Sequence, residues 1–426
     1  MEDYEKIISL IKKEVIPAIG CTEPIAVALC AAKAREILGA MPEHVQVFLS
    51  ANVIKNAMGV GIPGTGGMIG LPIAIALGLL VGNSDYQLEV LRDVTPEAVE
   101  EGKLLIGKKI IDIKPTDNVN EKLYIEVHCK SGNNNSIAII AGNHTDFVYL
   151  RKNESTLLDK MNSSLINTKE DEVSLNMAKV YDFSMNCPVS KIDFILESAR
   201  INKAASKKSL KYKYGHAIGN TLKGDINFAI MGNTILTKVL TYSTAACDAR
   251  MAGIKIPVMS NSGSGNQGIA ATLPVVIFAE QNKNNREELI RALVLSHLTV
   301  IYIKQKLGRL SVLCGCVIAA TGSSCGIVHL MGGKYEQVSF AVKNMIANLT
   351  GMICDGAKPS CSMKLASGVS TALLSSMLAM EQKVVTSMEG IIEDDVDQSI
   401  MNLVSIGSQG MQEADKMILD IMINKE

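Results

Sequence analysis

The residues best suited to chemistry are thiols gathered near the carboxy terminus. Five of the ten cysteines lie between positions 314 and 361, in and between Leu313-Cys-Gly-Cys-Val317 and Ile353-Cys-Asp-Gly-Ala-Lys-Pro-Ser-Cys-Ser362. Their spacings differ from the paired C-x2–4-C units of structural zinc. Three thiolates brought together by two loops can bind three irons of a [4Fe–4S] cluster and leave the fourth iron open. From spacing alone, Cys314, Cys354 and Cys361 are either metal or cluster ligands or buried structural thiols.

A further thiol lies in the turn Gly20-Cys-Thr-Glu-Pro24. Thr22 is predicted to cap a helix that has Pro24 in its first turn. Cys21 would then lie at a helix amino terminus, where the dipole and free N–H groups lower the pKa of a thiol and favour the thiolate.

A glycine-rich loop, Ser260-Asn-Ser-Gly-Ser-Gly-Asn-Gln-Gly268, opens a predicted helix. Backbone N–H groups at a helix start form an anion site for a phosphate or an amino-acid carboxylate. No strand with G-x-G-x-x-G and a following acidic residue frames the loop, so it is not a dinucleotide fingerprint. The predicted binding side chains of this loop are Ser260, Asn261, Ser262, Asn266 and Gln267.

Lys55 and Asn56 precede a second glycine-rich stretch. Lys55 belongs either to a solvated helix face or to a substrate site in which it binds a carboxylate together with Asn56. The uncharged segment Met58–Gly82 is long enough to suggest a membrane span. Its prolines and glycines instead predict a buried loop followed by a core helix at Leu71–Val81.

Composition indicates a small-molecule partner. The formal net charge is −1 and tryptophan is absent, so nothing points to nucleic acid or an anionic membrane. The charged start Met1-Glu-Asp-Tyr-Glu-Lys6 is unlike a signal peptide, which predicts a cytoplasmic location. In that reducing compartment cysteines are more often metal-binding or catalytic than disulfide-bonded.

The elements that position these residues are mostly helical. Strand patterns occur at His44–Leu49, Lys122–His128 and Ser136–Ile140. We therefore predict an α+β fold, with a predominantly α-helical, cluster-binding main domain (1–84 together with 182–426) and a smaller inserted α+β domain (85–181). The predicted helices include Tyr4–Ile16, Pro24–Leu38, Ile192–Ala204, Leu222–Leu240, Arg286–Lys304, Tyr335–Leu349 and Gly368–Met380.

With these motifs assembled, essentially the whole chain resembles the L-cysteine desulfidase family, which is related to the α part of iron–sulfur L-serine dehydratases. The resemblance implies an oxygen-sensitive [4Fe–4S] cluster on Cys314, Cys354 and Cys361 that acts as a Lewis acid. It also implies cleavage of L-cysteine to pyruvate, ammonia and sulfide through an aminoacrylate, without pyridoxal phosphate. The chain departs from the iron–sulfur serine dehydratases in two respects. The spacing from Cys354 to Cys361 is shorter than the corresponding cysteine spacing in those enzymes, and the chain lacks their terminal cysteine.

This chemistry needs an acceptor for the leaving sulfur, a base for the α-proton and an anchor for the carboxylate. The open iron supplies the first. Cys21 is the leading base, and a cluster ligand is its alternative role. His144 is the competing base or a structural loop residue, and Glu23 either caps backbone donors or takes part in catalysis.

Two other functions stay open. One is L-serine dehydration on the same cluster, and the other is a cluster-carrying sensor or binding protein without turnover. The resemblance leaves the preference between cysteine and serine undecided, and also the oligomeric state, for which a homodimer is one option.

Overall fold

The chain combines a helical body with a six-stranded sheet, which confirms the predicted α+β class with a helical majority. The computed structural model describes residues 2–116, 122–161, 173–308 and 311–424. The elements of the first part are α1 (Glu2–Glu14), β1 (Pro17–Ile19), α2 (Thr22–Leu38), β2 (His44–Leu49), α3 (Ala51–Ala57), α4 (Leu71–Val81), a 3₁₀ helix (Ser84–Glu89), α5 (Pro96–Gly107), β3 (Ile111–Pro115), β4 (Tyr124–Ser131), β5 (Asn134–Ala141), β6 (Phe147–Lys152) and β7 (Ser155–Asp159).

The sheet has the order β3-β2-β4-β5-β6-β7. The β2–β3 pair is parallel and the other neighbours are antiparallel. Val45, Val47 and Leu49 alternate with more exposed residues along β2, the period expected of a strand that buries one face. The three strands predicted from the sequence are thereby confirmed, and β4 and β5 form an antiparallel hairpin.

Helix α2 packs against β4 and β5, and α4 packs against α2 and α5. Side chains from Ile25 to Ile140 therefore share one hydrophobic core. The predicted helix Leu71–Val81 has the observed bounds of α4 and is largely buried. The domain boundaries at residues 84 and 182 stay a prediction. The packing adds that the strands of 85–181 share their core with α2, β2 and α4, because β2 pairs with both β3 and β4.

The second part of the chain is almost entirely helical. Its elements are α6 (Met177–Asn186), α7 (Val189–Ile192), a 3₁₀ turn (Asp193–Ile195), α8 (Leu196–Ser209), α9 (Ile218–Leu222), α10 (Asp225–Met231), α11 (Ile235–Met251), β8 (Pro257–Met259), α12 (Gly265–Asn282), α13 (Arg286–Leu307), α14 (Gly315–Leu330), α15 (Tyr335–Leu349), α16 (Cys361–Met380), α17 (Val396–Ser405), a π turn (Ile406–Gly410) and α18 (Gln412–Ile423).

Helix α14 is the centre of the helical body, where it packs against α12, α13, α15 and α16. It carries no Asp, Glu, Lys or Arg, as expected of a helix buried on all sides. A Cβ at Gly322 would lie 2.4 Å from the carbonyl oxygen of Ser296, so only glycine permits this approach to α13. Because α14 is held this tightly, the thiols at its amino terminus have a fixed position.

One predicted helix is wrong. The segment Leu222–Leu240 is interrupted rather than continuous, because Gly232 adopts a left-handed φ of 70° and Thr234 forms a capping box with Thr237 that starts α11. Helical periodicity does not register such a break when apolar residues continue on both sides of it.

Among the described helices, α16 has the length and apolarity that would suffice to cross a bilayer. It packs against α11, α14 and α15, as a core helix does. The cytoplasmic location stays a prediction.

Two contacts join the sheet side to the helical body near the site. Strand β1 pairs with β8 in antiparallel register, with Pro17 opposite Met259. A Cβ at Gly61 would lie 2.5 Å from the backbone of Ala252, so the two chain segments cross without side chains between them. The turn at Cys21 is thereby brought beside the loop at Ser260.

Candidate active site

One cavity of about 90 Å³ brings together residues from both ends of the chain. Ten of the thirteen site residues predicted from the sequence line it, namely Cys21, Glu23, Asn56, His144, Ser262, Asn266, Gln267, Cys314, Cys354 and Cys361. The cavity lies between the turn after β1, the loop before α12, the start of α14 and the loop before α16. His144 reaches it from the turn between β5 and β6.

Two short chain segments place the carboxy-terminal thiols together. Leu313 and Ile353 form an antiparallel bridge, in which the N–H of Cys314 donates to Met352 O at 3.0 Å. Cys354 therefore lies beside Cys314 although forty residues separate them in sequence. Cys361 begins α16, and its N–H donates to Lys358 O at 2.9 Å. All three cysteines are free thiols.

These thiols differ in acidity. A hydrogen bond from Cys316 lowers the pKa of Cys314 to about 7, against the opposing effect of burial. Burial raises the pKa of Cys354 to about 11 and also raises that of Cys361. Cys314 is therefore the thiol of this group that ionises first.

The donor set suits a cluster better than a single ion. Among the described residues, no three His, Cys, Asp or Glu side chains lie close enough to hold one metal ion. Thiolate sulfurs are the usual ligands of iron–sulfur clusters. A cluster also accepts ligand sulfurs that are farther apart than those around one ion, because each sulfur binds a different iron. Three thiols that line one cavity without a common centre fit that requirement.

The same cavity is lined by an acid–base group formed by Cys21, Glu23 and His144. The thiol of Cys21 donates to Glu23 Oε2 at 3.0 Å, and Thr22 Oγ1 lies 3.1 Å from the same oxygen. His144 Nε2 lies 3.7 Å from Glu23 Oε1, which also accepts from Asn56 Nδ2 at 3.5 Å. Burial acts to raise the pKa of Glu23, but His144 and the Cys21 thiol outweigh it and hold that pKa at about 2. Glu23 is therefore an ionised, buried carboxylate.

The prediction that the Cys21 thiol has a lowered pKa is wrong. Burial raises the pKa of Cys21 well above its ordinary value, and the negative charge of Glu23 raises it further. Cys21 does precede the first residue of α2, as expected, but these two effects exceed that of the helix dipole. The predicted cap is also wrong, because Thr22 is already helical and its hydroxyl donates to Gly263 O at 2.8 Å.

The predicted binding residues of the segment Ser260–Gly268 fall into two groups, and Asn266 and Gln267 lie in the first turn of α12 rather than in the loop before it. Ser262, Asn266 and Gln267 line the cavity, and Gln267 Oε1 is a buried acceptor without a hydrogen-bond donor among the described residues. Ser262 adopts a left-handed φ of 48°, which is uncommon for a residue other than glycine.

Ser260 and Asn261 do not line the cavity but fix the position of the loop. Their predicted contact with substrate is corrected accordingly. Ser260 Oγ donates to Ile16 O at 2.7 Å. Asn261 Nδ2 donates to Nδ1 of the buried His297 at 3.0 Å and to its carbonyl oxygen at 3.1 Å. Their polar groups are used in fixing the loop.

The structure also corrects the predicted position of Lys55 in the substrate site or on a solvated helix face. Lys55 is fully buried and its ammonium forms an ion pair with Asp415 of α18. It lines a separate cavity, between α3 and α18, rather than the one that holds the thiols. Its neighbour Asn56 does line the central cavity. The ion pair fixes α18 against α3.

Sequence reasoning missed Arg250 and Lys304, which also line the cavity. Cys316 lines it as well, and the C-x-C motif had indicated it as an alternative to Cys314. Arg250 and Lys304 lie in the last turns of α11 and α13, where a basic residue is ordinary and carries no signal of a site.

Comparison with known proteins shows the family of the chain. The profile described as serine dehydratase alpha chain matches residues 85–420. The chain belongs to the serine dehydratase alpha chain family. A UPF0597 protein of Bacteroides fragilis is 65% identical over 423 residues, 99% of each chain. A UPF0597 protein of Bacteroides thetaiotaomicron is 64% identical, over 99% of this chain and 98% of its own. One from Oleidesulfovibrio alaskensis is 45% identical, over 100% and 99%.

The part that matches the serine dehydratase alpha chain profile contains His144, the loop before α12 and the three carboxy-terminal thiols. The turn with Cys21 and Glu23 precedes it and lies within the alignments to the UPF0597 proteins. Membership of the family indicates a lyase-type enzyme.

Proposed function

We propose that the protein is an L-cysteine desulfidase, a lyase that converts L-cysteine and water to pyruvate, ammonia and hydrogen sulfide. The observation that carries the proposal is the shared cavity, which is lined both by three free thiols and by the Cys21–Glu23–His144 group. A β-elimination needs a site for the leaving group on one side of the substrate and a proton acceptor on the other. Membership of a lyase family supports the reaction type.

Cys314, Cys354 and Cys361 would hold a [4Fe–4S] cluster, since they are free thiols that line one cavity from two chain segments. Such a cluster, with one iron lacking a protein ligand, supplies a Lewis acid that stabilises the negative charge of the leaving sulfur. Cys316 donates a hydrogen bond to Cys314 and favours its thiolate, the form that binds iron. Pyridoxal phosphate has no role in the proposed reaction.

Cys21 and Glu23 would act together as the base. The 3.0 Å hydrogen bond between them lets the Cys21 sulfur take up the α-proton while its own proton passes to Glu23 Oε2. This coupled transfer does not require a free thiolate, which burial disfavours at this position. His144, 3.7 Å from the other carboxylate oxygen, would hold Glu23 in place.

The remaining polar groups would orient the amino acid. Gln267 Nε2 donates to Asn261 O at 3.2 Å, which fixes the side chain and leaves Oε1 to accept from the substrate ammonium. Ser262 and Asn266 also line the cavity. A cavity of about 90 Å³ is compatible with a small amino acid as the ligand.

L-Serine is the second candidate substrate, favoured by the alpha chain family itself. The same residues would serve, with a hydroxyl as the leaving group in place of the thiol. A hydroxide is a much poorer leaving group than a thiolate, so elimination from serine depends more strongly on the Lewis acid.

Anaerobic assays test these functions. Protein prepared without oxygen is analysed for iron and acid-labile sulfide, then incubated with L-cysteine or L-serine. Sulfide and pyruvate from cysteine, in equal amounts and well above those from serine, are expected. Pyruvate from serine alone would replace the desulfidase proposal by the dehydratase. Protein that contains the cluster but releases product from neither substrate would indicate a sensor or binding protein.

A further inference from the structure

Arg250 lines the central cavity, and contacts with the fold hold its guanidinium in place. Arg250 is the penultimate residue of α11 and is 2% exposed. Its Nε donates to Gly20 O at 3.0 Å, next to Cys21. A Cβ at Gly265 would lie 2.3 Å from this Nε, so the first residue of α12 must be glycine for the side chain to pass. The guanidinium is therefore fixed by two chain segments that themselves line the site.

This buried cation has no carboxylate partner among the described residues. Asp248, two residues earlier, directs Oδ2 to the N–H of Gly219 at 3.0 Å. Glu23, the carboxylate in the cavity wall, is bound by Cys21 instead. An unpaired buried charge is unfavourable. An anion bound in the cavity beside the terminal nitrogens of Arg250 would therefore stabilise this cation.

We propose that Arg250 binds the α-carboxylate of the amino-acid substrate. This inference rests on the proposed function for the kind of ligand. The planar fork of an arginine matches a carboxylate in a two-bond pairing that a lysine cannot form. The start of α12, which Gly265 holds against Arg250, adds free backbone N–H groups that favour the same anion.

A carboxylate bound to Arg250 would also orient the substrate. The carboxylate on Arg250 and the ammonium on Gln267 fix two groups of the α-carbon, so its proton has a defined direction relative to Cys21. Arg250 is thus a specificity residue, because amines and amides without the carboxylate leave its charge unpaired.

The test compares two thiols that differ only in this group, 3-mercaptopropionate and 3-mercaptopropionamide. Their affinities for the anaerobic, cluster-loaded protein are measured by calorimetry. The wild type is expected to bind the acid about ten- to hundred-fold more tightly, the effect of hydrogen bonds to a charged group. Arg250→Met should remove that preference by weakening the acid alone, and Arg250→Lys should keep part of it.

Two further variants keep the result interpretable. Gly265→Ala should reduce the preference for the acid although the charge of Arg250 is retained, because the added methyl group displaces the guanidinium. If Arg250→Met does not fold, Gly265→Ala and Arg250→Lys together still test the proposal. Arg291→Met is the matched control, since Arg291 is a part-buried arginine outside the cavity that donates to Ser184 O and Cys187 O.

Absence of a preference in the wild type, or an unchanged preference in Arg250→Met, would overturn the assignment. Equal loss of both ligands together with loss of iron would also overturn it, since Arg250 would then support the cluster. A preference that Arg250→Met removes, in a protein that releases no sulfide from cysteine, would keep the carboxylate site and refute the proposed function alone.

Discussion

Replacement of Glu23 by glutamine gives the most direct check on the electrostatics of the site. Glutamine keeps an acceptor oxygen for Cys21 but removes the charge. The pKa of Glu23 is lowered from an ordinary 4.5 to about 2 in the folded protein. A lowered folded-state pKa stabilises the fold above the unfolded value, and that stability is lost as the pH falls through the folded value.

The magnitude follows from these two values. The difference of about 2.5 pKa units corresponds to about 3 kcal/mol of stability at pH 7. At pH 3 the unfolded state has gained its proton while the folded state is still mostly ionised, so about 1.4 kcal/mol remains. Wild type should therefore exceed Glu23→Gln by about 3 kcal/mol at pH 7 and by less than half of that at pH 3.

Urea unfolding of both proteins under argon with reductant, followed by circular dichroism at pH 7, 5 and 3, measures this difference. Glu154→Gln is the matched control, because it removes the same charge from an exposed turn between β6 and β7. A difference that stays the same at all three pH values, or that is no larger than for Glu154→Gln, would mean that Glu23 is not a stabilised carboxylate.

Three other outcomes are expected. Cys314→Ala, Cys354→Ala and Cys361→Ala should each lose the visible absorbance and iron of the cluster, whereas Cys325→Ala, a buried thiol of α14 outside the cavity, should keep them; full iron in any of the first three would remove that residue from the ligand set. Cys21→Ser should keep the iron and the hydrogen bond to Glu23 but lose exchange of α-deuterium from labelled cysteine, since a hydroxyl is far less acidic than a thiol and passes its proton to Glu23 less readily. Loss of the iron instead would make Cys21 a ligand. Lys55→Met should leave the KM for cysteine unchanged but lower stability by about 2 kcal/mol, through loss of the charged contact with Asp415 that fixes α18. A raised KM at full stability would return Lys55 to the substrate site.

Local patterns in the sequence were sufficient for most of the secondary structure and for the main parts of the site. The alternation in His44–Leu49 and the apolar run Leu71–Val81 are properties of a few neighbouring residues, and both elements have the predicted bounds. The cysteine motifs and the glycine-rich loop before α12 are equally local. Their residue types limit the chemistry to thiolate ligation and anion binding wherever the chain places them.

Other features were decided only by residues that are distant in sequence. Lys55 pairs with a carboxylate 360 residues away, so its role could not be read from Asn52 to Asn56. Cys21 lies at a helix start, as its motif predicts, yet the acidity of its thiol is set by burial and by the charge on Glu23. Arg250 has no motif, and only the folding of α11 against the turn at Gly20 gives it a place in the cavity. Residue types and short periods act over one or two turns of chain, whereas burial and the pairing of charges depend on which distant segments meet.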